Sequence, residues 1–245
     1  MNAHGCALTL LYKTVAMKKN LPYFILFCAA IFFFTSCAHK YYTTSTFGQL
    51  SSRHRIIAIL PAEMIYTGNP AKNITPEDIV KIEESESRAF QNSLYNGILR
   101  HANTKKYMTT VSIQDIGTTQ RLLEDNKISV RTSWKEDDKK LAEILGVDAI
   151  VRMRVHKKRY MSDLASMGIG VGRQILSSVG NSSIPVPYVS NKTNDIYASC
   201  NVVSNNQTLW NDNYQGGTDY NRPSEYVIDN ITDNFGKHFP YRKRR

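Results

Sequence analysis

The residues with the clearest chemical fate in this chain are Phe34-Thr35-Ser36-Cys37, at the end of the apolar run LPYFILFCAAIFFFTSC over 21–37. Two small hydroxyl side chains directly before a cysteine leave room for a peptidase to cut there. Cys37 then becomes a new amino terminus whose sulfur carries a lipid. Lys18 and Lys19 form the basic flank that stays on the cytoplasmic side, and Pro22 to Phe34 is the apolar segment. The pattern is a lipobox, with Phe34 standing where a small residue or leucine is usual. Two other fates stay open. The run is barely long enough to span a membrane, with polar Thr35 and Ser36 in its last turn, or it is a plain cleaved signal.

Catalysis needs groups that converge, and the rest of the chain offers few. Gly168-Ile169-Gly170-Val171-Gly172 superficially resembles a phosphate loop but has no Walker lysine and serine and no downstream ribose-binding acid. His39, His54, His101, His156 and His238 are scattered, with no pair at metal-site spacing. No serine sits in a GxSxG elbow. Glu83, Glu84 and Glu86 read as a solvated helix face, although paired carboxylates for glycoside chemistry stay open. The expectation is a protein that is not an enzyme and holds no cofactor or metal.

Contact chemistry is better represented. Val151, Met153 and Val155 alternate with Arg152, Arg154 and His156, so one strand face is buried and the other wet and basic. Tyrosines and Trp210 crowd both ends of the chain, with Trp210 and Tyr214 on one strand face. Trp210, Tyr214, Tyr197, Arg152 and Arg154 are therefore candidates for a protein-contact surface. The packing alternative is a sheet face covered by the last helix.

Where such a surface works follows from processing. Residues 1–16 do not fit a signal's basic flank, so Met17 is a candidate natural start. Removing residues 1–36 takes away three basic residues and no acidic one, lowering the net charge from +10 to +7. Four cations stand in the tail Arg242-Lys243-Arg244-Arg245, which reads either as a solvated terminus or as a contact with lipid headgroups or another acidic envelope surface. No basic stripe interleaved with aromatics points to nucleic acid. Cys6 and Cys28 leave with the signal and Cys37 takes the lipid, which leaves Cys200 alone and best placed buried in a strand.

The elements that must position these residues can be read in order. Residues 38–54 are polar and aperiodic, a tether. Arg55 to Pro61 is a buried strand closed by proline, followed by a loop from Ala62 to Asn73. Thr75-Pro76-Glu77-Asp78 caps a helix to about Leu99. Met108 to Gln114 is a strand, Thr119 to Asn126 a short helix, and Ser133-Trp134-Lys135-Glu136 a capping box opening a helix stopped by Gly146. A strand follows through His156, then an insertion over 161–189, then a hairpin of Asp195 to Val203 and Thr208 to Tyr214 turning at Ser204-Asn205-Asn206-Gln207. Arg222-Pro223 starts a last helix that Pro240 ends. This order predicts one α/β domain over 55–241, a mixed sheet with helices packed on it.

A lipobox, a first strand of the type Ile57-Ala58-Ile59-Leu60-Pro61, the run LGVDAIV over 145–151, a hairpin bearing Leu209-Trp210 and an ending Phe239-Pro240-Tyr241 occur together here. The combination resembles bacterial envelope lipoproteins with a domain like the amino-terminal domain of the Tol-system propeller protein. Similar domains occur in the curli-secretion lipoprotein and in penicillin-binding-protein activator lipoproteins. The phenylalanine in the lipobox and the abundance of Asn and Tyr look like Bacteroidetes-type lipoproteins. The resemblance implies an anticodon-binding-domain-like topology and a non-enzymatic adaptor. It would be lipid-anchored through Cys37 at the periplasmic face of the outer membrane and would bind other envelope proteins. The alternative it implies is a subunit of an oligomeric secretion pore, with self-association open. Three close glycines and no ten-residue alternation over 161–189 speak against a pore hairpin.

Overall fold

The computed structural model describes residues 41–68, 75–159, 193–218 and 224–245. The lipobox, the whole insertion over 161–189 with Gly168–Gly172, and Arg222-Pro223 lie outside them. Nine strands and six helices are described in chain order. They are β1 (Tyr42–Thr43), α1 (Phe47–Ser51), β2 (Ile56–Ile59), β3 (Glu63–Gly68), α2 (Pro76–Ala102), β4 (Tyr107–Thr109), β5 (Ser112–Ile113), α3 (Ile116–Asp125), α4 (Val130–Ser133), α5 (Asp138–Leu145), β6 (Ala149–Arg159), β7 (Asn194–Ser204), β8 (Gln207–Thr218), α6 (Ser224–His238) and β9 (Arg242–Arg244).

The main sheet runs β1-β8-β7-β6-β2-β5, with β3 also on β6. Its β2, β3, β5 and β6 pairings are parallel and its β6-β7-β8-β1 pairings antiparallel. This is the mixed sheet with helices packed on it that the order of elements predicts. The hairpin turns on Asn205 and Asn206, both at positive φ (49° and 60°), the pair of left-handed residues a two-residue turn requires.

Pro61 falls in the break between β2 and β3, and both strands run along the same edge of β6. Ile59 pairs with Val151 and Glu63 with Arg154, so one more residue is used on this side than on β6. The irregularity falls at Leu60-Pro61-Ala62, where proline's missing donor costs nothing. Helix α2 supplies the absent partners: the Gln91 amide donates to the Ile59 carbonyl at 2.7 Å, and the Ala62 N–H donates to the Ser87 carbonyl at 3.4 Å. The expected loop from Ala62 is therefore strand β3 up to Gly68.

Three other expectations shift. The strand over Met108 to Gln114 is two strands, because β4 turns to pair with β9 while β5 pairs with β2. The capping box at Ser133 is absent. Ser129 caps α4 through the Thr132 N–H (3.1 Å), and Asp137 caps α5 through the Lys140 N–H (2.9 Å). Buried Ser133 instead donates to the Val130 carbonyl at 2.6 Å. The aperiodic tether also folds in part. Thr43 pairs with Trp210 at the sheet edge, and Phe47 in α1 packs its ring on Tyr241 at 5.5 Å. Thr75 and Asp78 do form the reciprocal cap of α2, and Gly146, at φ 65°, ends α5.

Helices α2 and α6 cover one sheet face over a core that includes Ile57, Phe90, Leu94, Val151, Trp210 and Phe235. They cross where Gly97 meets Gly236: a Cβ on Gly236 would stand 2.7 Å from the Gly97 carbonyl carbon and oxygen. Helices α3 and α5 cover only one end of the opposite face, over Ala58, Leu60, Ile150 and Val203.

Candidate functional site

Beyond Ile150, the second face of the sheet has no helix over it among the described residues, and the register decides what stands there. Arg152, Arg154 and His156 of β6 lie beside Asn201, Ser199 and Tyr197 of β7. These in turn lie beside Asn211, Asn213 and Gln215 of β8. Strict alternation over three long strands makes every one of these side chains polar or aromatic. Tyr197 is an exposed ring, at 41%, in the middle strand of the three.

The side chains are tied to each other laterally. Arg154 Nε donates to Glu63 Oε2 at 2.6 Å, His156 Nε2 and Thr67 Oγ1 are 2.8 Å apart, and the His156 and Tyr197 rings lie 6.3 Å apart. An amide row continues on β8, where Asn213 Nδ2 donates to Asn211 Oδ1 at 2.7 Å. Such a surface presents donors, acceptors, a cation and aromatic rings side by side. That is contact chemistry.

The candidates separate on this geometry. Arg154 and Tyr197 stand together on the open face. Arg152 stands at its closed end and is used internally. Its guanidinium donates to the carbonyls of Ser133 (2.9 Å), Trp134 (3.2 Å) and Glu136 (2.6 Å) and pairs with Asp138. Trp210 and Tyr214 lie on the opposite face. Trp210 is 0% exposed and meets Phe239 edge-on at 6.2 Å, so it is a core residue and cannot be a contact residue. Tyr214 is half-buried against the same core and lies across Gly216, where a Cβ would be 2.7 Å from the tyrosine hydroxyl. The reading of this face as one covered by the last helix is the one the structure has.

The acidic row of α2 is not simply solvated. Buried Glu83 pairs with Arg131, whose guanidinium lies 5.3 Å from the Trp134 ring. Glu86 accepts from Lys157 at 3.0 Å and from the Tyr66 hydroxyl. Burial, and then the Glu86 charge, push the Tyr66 phenol far above its ordinary range, so it stays protonated. Each carboxylate is satisfied within its own cluster, which suits a structural role better than glycoside chemistry.

Cys200 is 0% exposed, and burial followed by the Asp212 charge pushes its thiol well up, so it is inert. His54 Nδ1 and the Tyr241 hydroxyl are 2.6 Å apart, and burial lowers the His54 pKa against the raising effect of Asp148. Burial also pushes the Asp148 carboxyl up, but the N–H groups of Ile56 and Arg55 outweigh it and hold the group below its ordinary value. Among the described residues no group of three or more His, Cys, Asp or Glu is placed to hold a metal, and no helix is long and apolar enough to cross a membrane. No catalytic motif occurs there.

Sequence reasoning missed two features. The amides Asn201, Asn213 and Gln215 complete the open face, and the alternation of the hairpin already carried that signal. The basic tail is the second: Arg242, Lys243 and Arg244 pair with Thr109, Met108 and Tyr107 in a two-stranded ribbon. It forms a strand while Lys243, Arg244 and Arg245 stay exposed, and only its long-range partner reveals this.

No family model and no curated protein matches the chain. Among solved structures, the PelC dodecamer from Paraburkholderia phytofirmans is similar at 8% identity and TM-score 0.36, over 76% of this chain and 86% of that one. Lipoprotein GNA1162 from Neisseria meningitidis is similar at 12% identity and TM-score 0.34, over 75% and 96%. The LpoB C-terminal domain from Salmonella enterica is similar at 8% identity and TM-score 0.33, over 71% and 92%. At these TM-scores the likeness is coarse.

Proposed function

We propose that this chain is a lipid-anchored envelope protein, held through Cys37 at the periplasmic side of the outer membrane, that works as a non-enzymatic adaptor by binding other proteins. The observation that carries the binding part is the open polar face of β6, β7 and β8, where Tyr197 and Arg154 stand in a laterally bonded array that no helix covers among the described residues. Tyrosine and arginine suit protein contacts because each offers a broad face with a polar end. The lipid part rests on the lipobox Phe34-Thr35-Ser36-Cys37. For the finer topology, the parallel group β5-β2-β6 extended by antiparallel β7 and β8 is what supports an anticodon-binding-domain-like arrangement.

A second reading is a subunit of an oligomeric secretion assembly. A dodecamer is recorded for PelC. For this chain the support is its own strand edges: among the described residues β3 pairs only with β6, and β1 covers β8 only at Asn211 and Trp210. Unpaired edges invite a further strand. One experiment addresses both readings. In intact cells fed labelled palmitate, a photo-crosslinker replacing Tyr197 should give a discrete, palmitate-bearing adduct, and Cys37→Ala should remove the label. An adduct with a foreign protein supports the adaptor, and one with a multiple of the chain's own mass supports self-assembly. No adduct at Tyr197 would overturn the open face as the contact surface.

A further inference from the structure

The tail Arg242-Lys243-Arg244-Arg245 folds back on the segment after α2. Its strand β9 pairs antiparallel with β4, and the Arg245 N–H donates to the Lys106 carbonyl at 3.1 Å beyond the ladder. Six cations, Lys105, Lys106, Arg242, Lys243, Arg244 and Arg245, are thereby gathered on one short ribbon. All but the half-buried Arg242 are exposed. Among the described residues none of the six forms an ion pair with a carboxylate side chain, whereas neighbouring Lys237 does, with Asp233 at 2.9 Å.

The ladder cations face Tyr107, Met108 and Thr109 rather than one another, with only Arg245 beside Lys106, so the ribbon gathers positive potential that an anionic surface would meet favourably. The ribbon also has an apolar point. Met108, 41% exposed, lies directly opposite Lys243. The Arg242 guanidinium sits 3.6 Å from the centre of the Tyr107 ring, which holds the ribbon rigid rather than leaving its cations on a floating tail.

The position of the ribbon supplies the second argument. The Tyr41 ring stacks on His238 at 5.9 Å, and Arg242 Nη1 donates to the carbonyl of the adjacent Lys237 at 2.5 Å. The start of the described domain and the ribbon therefore lie at the same end. Cys37 is four residues before Tyr41, and an extended chain of that length reaches at most about 14 Å.

We propose that the β4–β9 ribbon docks on the anionic phospholipid headgroups of the bilayer that holds the protein's own lipid, fixing the orientation of the domain on the membrane. This rests on the lipid reading of Cys37. With so short a connection, the ribbon stands within a few screening lengths (about 8 Å each at physiological salt) of the headgroups. Exposed cations on a rigid ribbon are then attracted, and Met108 enters the headgroup boundary.

The test uses the mature chain with Met108→Cys labelled by an environment-sensitive fluorophore, buried Cys200 staying unlabelled. Vesicles are phosphatidylcholine alone, or phosphatidylcholine mixed with phosphatidylglycerol. The expected result is attachment to both kinds, with blue-shifted emission only on the mixed vesicles, reversed by high salt. Lys243→Glu with Arg244→Glu should lower the ratio of docked to undocked protein, read from the emission shift at fixed phosphatidylglycerol content, by roughly fivefold per cation removed. Both side chains are exposed, so the fold survives, as circular dichroism would check. Attachment to both vesicles with identical emission overturns the proposal. Failure to attach to phosphatidylcholine overturns the lipid reading instead. The ribbon is then judged on the mixed vesicles alone, where binding lost in the double variant supports it and no binding overturns it.

Discussion

The two faces of the β6-β7-β8 ribbon share one backbone and differ in every other respect. On the covered face Val151, Met153, Ala198, Cys200, Val202 and Trp210 are at most 3% exposed beneath α2 and α6. On the open face the intervening residues Arg154, His156, Tyr197, Asn213 and Gln215 bond sideways to side chains of the same face, Glu63, Thr67 and Asn211 among them. Stability resides in the first, and the proposed recognition in the second. Arg152 and Arg154, two residues apart on the open side, show where the boundary falls, because one is held by three carbonyls and the other by a single surface glutamate.

The sharpest way to break this contrast is Trp210→Ala. Removing a fully buried indole should cost about 3–5 kcal/mol in chemical denaturation, and a loss under about 1 kcal/mol would mean that the covered face is not the core. The arginine pair comes next. Arg152→Ala should cost about 2 kcal/mol, since it strips the carbonyls of Ser133, Trp134 and Glu136 of their donor and leaves Asp138 unpaired. Arg154→Ala, with a side chain 62% exposed, should cost less than about 0.5 kcal/mol. Equal losses at the two positions would erase the boundary.

The smallest effect is a pH dependence confined to the covered side. There the chain end closes over the core, with the Tyr241 hydroxyl held by His54. Burial lowers the folded-state pKa of His54 below 6.5, so the unfolded chain binds the proton first as pH falls. The His54 contribution is present above about pH 6.5 and is lost as pH drops through the lowered value. Comparing wild type with His54→Gln isolates it from the other histidines. The two stability curves should converge toward acid pH, and parallel curves would refute the assignment.

Much of the architecture was legible in the chain itself, because local chemistry dictates it. Thr75-Pro76-Glu77-Asp78 capped α2, Gly146 stopped α5, and Asn205-Asn206 turned the hairpin, each by an interaction within a few residues. The alternation around Arg152, Arg154 and His156 correctly divided buried from wet positions. It did not tell which wet arginine was already engaged, since the carbonyls that Arg152 binds belong to residues 133–136. Pro61 misled for a related reason: a proline interrupts a strand, yet pairing along β6 resumes after it where Ser87 and Gln91 of α2 supply the missing bonds.

What the sequence determined alone is the set of local signals: the helix caps, the turn, and the two-residue rhythm that divides each strand. Only the tertiary structure decided which faces were covered. Trp210 passed from candidate contact to core because α6 and Phe239 lie over it, while Tyr197 stayed open because no helix reaches it among the described residues. The tail and the segment from Tyr42 to Ser51 were bound for the same reason. A short polar or charged run has no periodicity of its own, and its structure comes from partners such as Tyr107 and Trp210, far away in the chain.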